Sequence, residues 1–310
     1  MSSSAPSLPW VRYVVPSFNQ GRYLKAALDS LLNQSYPYLE VVVVDGLSSD
    51  ESVQILRDIR DPRLKWVSEK DDGQVDAIQK GLIFPGSPFK YFNWLGSDDL
   101  LYGPEVLTRL VNEAEKSHAA VVYGEGEYID GQGTPLGRYA VGAATHEALS
   151  HYSTLCQPSA LIEYASFLRV GGLNKRWSSI MDLDLWLRLV TAGCKFVRVP
   201  EIISQYRIHK DSKTASFRLH TFREIFALFA ERGERVGMTT FHDAFMECFW
   251  TPMTGLEKIP GGPVGMSFKL FRKILWHGSR FPWFEKRVSI LFRQPRASLL
   301  PFTRSYDDQR

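Results

Sequence analysis

Cysteine is scarce in this chain. Its 310 residues include three, Cys156, Cys194 and Cys248, too few and too scattered for a disulfide framework or a zinc site. A reducing, cytoplasmic compartment is the expectation. Long apolar runs are missing as well. The longest stretch free of Asp, Glu, Lys and Arg is 148–162, which contains His151 and Pro158; a membrane helix needs roughly 20 apolar residues. The opening MSSSAPSLPW has neither a basic n-region nor an apolar h-region, which argues against a secretory signal. Two phosphate-cradling loops are absent too. No Gly-x-Gly-x-x-Gly follows a strand-like run, and no Gly-x-x-x-x-Gly-Lys-Ser/Thr occurs, so dehydrogenase and P-loop chemistry are disfavoured. Internal repeats and low-complexity segments are lacking.

What is present fits a globular chain: 44% of residues are hydrophobic and 23% charged, and the length supports a sizeable core without staples. The net charge of +3 is unevenly spread. Residues 265–310 carry ten Lys/Arg against three Asp/Glu and nine aromatics, leaving 27 basic and 31 acidic residues in 1–264. A slightly acidic body with a basic, aromatic tail argues against nucleic acid as a partner. It favours a local anionic one at the C-terminus.

Strand-like and helix-like segments alternate through the first half. Residues 12–16 and 39–44 (LEVVVV) read as strands buried on both faces. Leu24, Ala27, Leu28, Leu31 and Leu32 mark one helical face. Ser48 and Glu51 have the spacing of a capping box, predicting a helix to about Ile59. Residues 64–67 and 91–95 read as strands, 74–82 and 103–116 as helices, the last with Pro104 near its first turn, and 121–123 as a further strand. This order implies an α/β fold with a mostly parallel sheet between helices. Beyond it, 127–139 reads as a hairpin, 159–162 as a strand, and 184–192, 217–235 and 241–249 as helices. A division follows into a catalytic domain over 1–212 and a helical C-terminal extension over 213–310 that ends in the basic, aromatic tail.

Acidic residues follow the strands. Asp45 comes directly after LEVVVV, Asp71-Asp72-Gly73 after the 64–67 strand, and Ser97-Asp98-Asp99 after the 91–95 strand. One acid in such a place is usually a cap or turn residue. Three clusters converging on the carboxyl edge of a sheet, where ligands of α/β proteins sit, repel one another and call for a cation or a donor-rich ligand. Paired carboxylates on a tight loop suit Mg²⁺ or Mn²⁺ bound jointly with phosphate oxygens.

The segments VVPSFNQGRYLKAALDSLLNQSYPYLEVVVVDGLSSD, SEKDDGQVDAIQKGL, WLGSDDLL, GGLN, MDLDLWLRL and YRIH resemble, in order and spacing, glycosyltransferase family 2. The resemblance covers roughly 12–209, about two thirds of the chain. It implies a GT-A fold, a nucleotide-diphosphate sugar donor, a divalent metal (Mn²⁺ or Mg²⁺) and inversion at the anomeric carbon.

Roles transfer position by position. The family segment matching Pro16, Ser17, Phe18 and Asn19 lies against the nucleobase. The acid matching Asp45 accepts from the base, a natural pairing for the N3–H of uracil or thymine, and that matching Asp71 lies near base and ribose. Ser97-Asp98-Asp99 matches the family's Asp-x-Asp position, with serine in first place, a frequent variant. There Asp99 ligates the metal and Asp98 contacts the ribose or orients the site. Asp182 matches the catalytic base, its residue-level alternative being a helix N-cap. Gln74 and Lys80 match donor-site positions, although Lys80 and Asp76 are also spaced for an internal ion pair. Arg207 and His209 match a segment near the diphosphate, where Arg207 would support phosphate and His209 the metal; a structural histidine is the alternative. Asp184 and Arg188 are spaced for an exposed i,i+4 pair.

The function implied is transfer of a sugar, from a UDP-sugar first of all, to a hydroxyl of a glycan or lipid-linked glycan. A catalytically silent nucleotide-sugar-binding or scaffold member is the alternative. In the tail, Lys269, Arg272 and Lys273 share one helical face and Phe268, Phe271, Ile274 and Leu275 the other, with Phe281, Trp283 and Phe284 beyond. Either this stretch meets an anionic membrane surface from the cytoplasmic side as a peripheral protein, or it packs on the catalytic domain.

Overall fold

The computed structural model describes residues 8–139, 141–151, 155–209 and 218–234. Its centre is set by β1 (Val11–Ser17) and β2 (Leu39–Asp45), buried at every position. Both faces of these strands are covered. Val11, Tyr13, Val15, Val41 and Val43 share a core with α1 (Gly21–Leu32) and α4 (Val106–Ser117). Val14 shares the opposite core with α3 (Gln74–Ile83) and α7 (Met181–Thr191). Two covered faces explain why these strands are continuous apolar runs. α1 buries Leu24, Ala27, Leu28 and Leu31 completely, each leucine stabilising the fold by about 1.5–3 kcal/mol.

The other elements are α2 (Ser52–Asp58), β3 (Leu64–Ser68), β4 (Tyr91–Trp94), β5 (Leu100–Leu101), β6 (Val121–Ile129), β7 (Pro135–Tyr139), α5 (His146–His151), β8 (Ala160–Glu163), α6 (Tyr164–Arg169), β9 (Phe196–Arg207) and α8 (Arg218–Glu231). The strands form one sheet in the order β3-β2-β1-β4-β8-β6-β9-β5, with β7 on β6. β3, β2, β1 and β4 are parallel neighbours, β8 is antiparallel to β4 and to β6, and β9 is parallel to β6. The carboxyl ends of β1–β4, β6 and β9 therefore lie along one edge. β2 and β3 are to one side of β1 and β4 is on the other, which makes the β1/β4 boundary the topological switch point.

Four local expectations change. Ser48 does not cap α2, because its hydroxyl and N–H are taken by Asp45; Asp50 instead accepts the N–H of Ser52 (3.0 Å). α4 begins at Val106, two residues after Pro104. β6 runs to Ile129 through Gly124 and Gly126, where an added Cβ would lie 2.5 Å from Ile203 Cγ1 and 2.7 Å from Cys156 Sγ. Close approach, not a break, is what these glycines serve. Asp184 and Arg188 form a pair that is not exposed: Asp184 is buried, Oδ2 accepts from Arg188 Nε and Nη2 (2.9 and 2.7 Å), and Nη1 donates to Val170 O.

α8 packs on α7. Leu228 and Phe229 are buried in the same core as Trp186, and Arg176 pairs with Glu231. The helix thus shares that hydrophobic core, although it follows residue 212. The predicted 241–249 helix and the 265–310 tail lie outside the described residues.

Candidate active site

The site is assembled by loops at the carboxyl edge. Register places Ser17 beside Asp45 and Asp45 beside Ser68. Asp45 is fully buried. Its Oδ1 accepts from Ser48 Oγ (2.5 Å), and its Oδ2 from Ser48 N (3.0 Å) and Ser68 Oγ (2.6 Å). As placed, Asp45 acts on the edge through these two serines and has no bare carboxylate at the surface. Pro16 and Ser17 are buried at the end of β1, whereas Phe18 projects outward. Asn19 Oδ1 accepts the N–H of Ser49 (2.8 Å), tying the β1 and β2 loops together.

The loop after β3 contributes Asp71, whose Oδ1 accepts the N–H of Gly73 (2.8 Å). Gly73 has φ 98° and directly precedes α3; such a backbone needs glycine. Gln74 is the first residue of that helix. Lys80 Nζ lies 3.0 Å from Glu69 and 3.4 Å from Asp76 and donates to Lys70 O (2.6 Å). It therefore braces this loop, as the ion-pair reading of its spacing anticipated.

Across the switch point, the loop after β4 carries Gly96, Ser97, Asp98 and Asp99. Asp99 is buried, and Oδ1 accepts the backbone N–H of Arg207 (2.9 Å). Burial, with the Asp98 charge beside it, pushes the Asp99 carboxyl well above the usual carboxylate range, and the Arg207 N–H offsets this only in part. Asp98 Oδ2 lies 2.9 Å from His209 Nε2. The remaining oxygens converge: a Cβ on Gly96 would meet Asp98 Oδ1 at 2.8 Å and Asp99 Oδ2 at 2.9 Å. Two hard oxygens over a bare glycine, one from an acid that burial disfavours as an anion, fit a divalent cation completed by phosphate oxygens and water. Among the described residues no cluster of three or more His, Cys, Asp or Glu side chains forms a complete protein cage.

Arg207 and His209 arrive on β9 and its exit. The Arg207 guanidinium is directed at backbone carbonyls, Asp98 O (Nε, 2.8 Å) and Asp130 O (Nη1, 3.0 Å), and stacks 4.9 Å from the Tyr23 ring. His209 packs on the same Tyr23 ring, 4.8 Å between centroids. Both residues hold the Asp98–Asp99 loop in shape. His209 reaches the carboxylates by hydrogen bonding to Asp98, so its Nε2 is engaged.

Asp182 lies in the first turn of α7, one residue inside it, so it is not the N-cap. Oδ1 accepts the N–H of Leu183 (2.9 Å). Among the described residues no cation pairs with it, and burial pushes its carboxyl up to about 6. A carboxyl tuned toward neutrality accepts a proton far better than an ordinary aspartate does.

Three contributors were not legible in sequence. Tyr23 is the ring between Arg207 and His209; its only signal is an aromatic in the first turn of the helix leaving the PSFN loop. Gln157 Nε2 donates to Asn93 Oδ1 and Trp94 O (both 2.8 Å), fixing the end of β4. Glu224 of α8 accepts from Ser178 N (2.9 Å), Ser178 Oγ (2.9 Å) and Ser179 N (2.8 Å), holding the approach to Asp182.

A sheet wound to both sides of a switch point, with carboxylates from three loops along its carboxyl edge, defines a GT-A nucleotide-diphospho-sugar transferase fold. Solved structures share it. The chain aligns with Staphylococcus aureus TarS residues 1–349 in complex with UDP-GlcNAc at TM-score 0.59 and 16% identity, covering 81% of this chain and 76% of that one. It aligns with the Pyrobaculum calidifontis mannosyltransferase PcManGT in complex with GDP-Man and Mn²⁺ at TM-score 0.59 and 16% identity, covering 95% and 87%. Residues 13–158 match the model of glycosyl transferase family 2. A glycosyltransferase of Rickettsia typhi described as uncharacterized is 28% identical over 237 residues, covering 72% of this chain and 71% of that one.

Proposed function

We propose that the protein is an inverting, metal-dependent glycosyltransferase that moves a sugar from a UDP-sugar to a hydroxyl of a glycan or lipid-linked glycan. The observation that carries this reading is the contrast between two carboxylate sites. Asp98 and Asp99 aim two oxygens at one point over Gly96, whereas Asp182 stands in a helix turn with its carboxyl near 6. One set suits a cation, the other a proton.

A bound divalent ion would be held by Asp99 and Asp98 and would stabilise charge on the departing diphosphate. The edge around Ser17, Phe18, Asn19, Asp45 and Asp71 holds the nucleoside, with Ser48 and Ser68 presenting hydroxyls that Asp45 orients. The acceptor oxygen bonds to the anomeric carbon as the bond from that carbon to the diphosphate oxygen breaks. The acceptor's proton passes to Asp182, and the nucleoside diphosphate leaves. In-line displacement of this kind inverts the anomeric centre.

UDP is the preferred donor nucleotide because Ser48 and Ser68, whose hydroxyl hydrogens go to Asp45, are left as acceptors for a ring donor such as the uracil N3–H; the UDP-GlcNAc complex of the structural neighbour TarS supports this. Manganese use draws support from the PcManGT complex. The catalytic unit extends through α8, which shares its core. The tail at 265–310 would meet an anionic membrane from the cytoplasmic side, a reading that rests on its sequence.

The test is a calorimetric screen of UDP-, GDP- and dTDP-sugars with Mn²⁺, followed by Asp182→Asn. One class of donor should bind, and the variant should bind it equally while losing transfer. Binding of none would sink the proposal, and unimpaired transfer by the variant would sink the role of Asp182.

A further inference from the structure

β8 runs against its neighbours. It lies between β4 and β6 and is antiparallel to both, so its first residue, Ala160, faces the carboxyl edge and leaves a notch between the ends of β4 and β6. A one-turn 3₁₀ helix, Gln157–Ser159, fills the notch. It is fastened to both walls: Gln157 Nε2 donates to Trp94 O on β4 (2.8 Å), and Ser159 Oγ to Glu125 O on β6 (2.8 Å). On one side the chain runs two residues past Trp94 to Gly96, over which the Asp98 and Asp99 oxygens converge. On the other, Met181, the residue before Asp182, shares a core with Trp94, Leu155 and Cys156. Gln157, directly after Cys156, is therefore flanked by the carboxylates that suit a cation and the one that suits a proton.

The side chain of Gln157 is held at one end only. The Trp94 carbonyl can do nothing but accept, so the amide atom facing it is the nitrogen. The same nitrogen donates to Asn93 Oδ1 (2.8 Å). Asn93 is itself fully buried, and its Nδ2 donates back to Gln157 O (3.3 Å) and Pro158 O (3.4 Å). Both amide hydrogens of Gln157 are thus engaged, and the side chain has one orientation. Oε1 is left over. Among the described residues nothing donates to it, although Gln157 is half-buried. An acceptor fixed in place at a site without a donor calls for one from outside the chain. In an in-line displacement the transferred sugar bridges the departing diphosphate and the incoming hydroxyl. Its place is between Asp98–Asp99 and Asp182, against the Gln157 turn, and its own hydroxyls are donors.

We infer that Gln157 Oε1 accepts a hydrogen bond from a hydroxyl of the sugar being transferred. The inference rests on the nucleotide-sugar reading above and deepens it, from the nucleotide to the sugar. Two variants separate a contact from a brace. Gln157→Met removes both ends of the amide. Gln157→Lys keeps donors for Trp94 O and Asn93 Oδ1 and removes only the acceptor.

The experiment titrates the full chain, in Mn²⁺, with UDP, UDP-glucose, UDP-GlcNAc, GDP and GDP-mannose, alongside melting curves. The best-bound sugar nucleotide is then replaced by its deoxy analogues, one hydroxyl at a time. The readout is the affinity of the sugar nucleotide relative to its own nucleoside diphosphate, so the added charge of lysine cancels. That ratio should fall about three- to tenfold in both variants. One deoxy analogue should show the same loss with wild type and no further loss with Gln157→Lys. Equal weakening of the nucleoside diphosphate and its sugar derivative would overturn the inference and make Gln157 a brace for the cation loop. So would a fall confined to Gln157→Met, which would assign the effect to the two donated bonds, and so would an unchanged ratio in both. Should Gln157→Met fail to fold, Gln157→Lys and the deoxy analogues decide the matter alone. If the wild type bound none of the five nucleotides, the nucleotide-sugar reading itself would fall and take this contact with it.

Discussion

The backbone N–H of Arg207 donates to Asp99 Oδ1 at 2.9 Å, joining the end of β9 to the loop after β4. The side chain of the same arginine grips that loop again at Asp98 O. One residue therefore fixes both the acid that would hold a cation and the backbone that carries it. Arg207 is a positioning residue for the carboxylates, which its sequence position alone does not distinguish from a phosphate ligand.

Arg207→Lys separates these two roles. Lysine keeps the backbone N–H and the positive charge but loses the fork that reaches Asp98 O and Asp130 O. The variant should lose about 1–3 kcal/mol of stability in urea denaturation and bind Mn²⁺ more weakly. A phosphate role alone predicts unchanged stability and metal affinity with a raised KM for donor.

Asp99→Asn bears on the cation. Burial and the adjacent Asp98 make the Asp99 anion unfavourable, and a divalent ion relieves both. Wild-type protein should therefore melt several degrees higher in millimolar Mn²⁺ than in EDTA, by mass action on the folded state. The asparagine variant should show little such shift and should need no metal to keep its fold. An equal metal shift in both proteins would remove Asp99 from the cation site.

Glu224→Ala tests the support behind Asp182. It leaves the N–H groups of Ser178 and Ser179 without their acceptor in a partly buried turn, which should cost about 2–4 kcal/mol. Turnover should fall while donor affinity holds, because the turn leads to α7 and not to the nucleoside edge. Donor affinity falling in step with turnover would count against this separation.

These residues also show what a sequence can and cannot display. Strands covered on both faces leave continuous apolar runs, so β1, β2 and the acids that end them were legible in LEVVVVD and its neighbours. The capping box at Ser48 misled because Asp45, three residues earlier, competes for the same hydroxyl and N–H and takes both. Asp184 and Arg188 had the spacing of a surface pair, yet the core beneath that helix buries Asp184 and leaves Arg188 only half-buried. Glu224 meets Ser178 across 46 residues, and no periodicity records a contact of that kind. Asp182 was found by resemblance; its raised pKa comes from packing that only the assembled fold supplies.

The last prediction uses that pKa and works in two directions at once. Asp182 holds its proton up to about 6 in the folded protein, against 3.8 for the ordinary side chain. Below about pH 4 the acid is protonated in both states and has no net effect. Between there and about pH 6 the unfolded chain ionises first, so folded stability declines as pH rises and levels off above 6. Asp182→Asn lacks this decline and should be more stable than wild type at pH 8, by about 1–2 kcal/mol once the solvent reaching the group is allowed for. At pH 4 the two should denature alike. Turnover runs the other way, since a base must be ionised to accept a proton. Wild-type kcat should rise tenfold per pH unit below about 6 and then flatten, and the variant should be lower by about 10²–10⁴. A favourable interaction of the Asp182 anion with the start of α7 would instead make the variant less stable at pH 8. That result, together with retained turnover, would make Asp182 a helix-start residue and return the search for the base to the other acids of the edge.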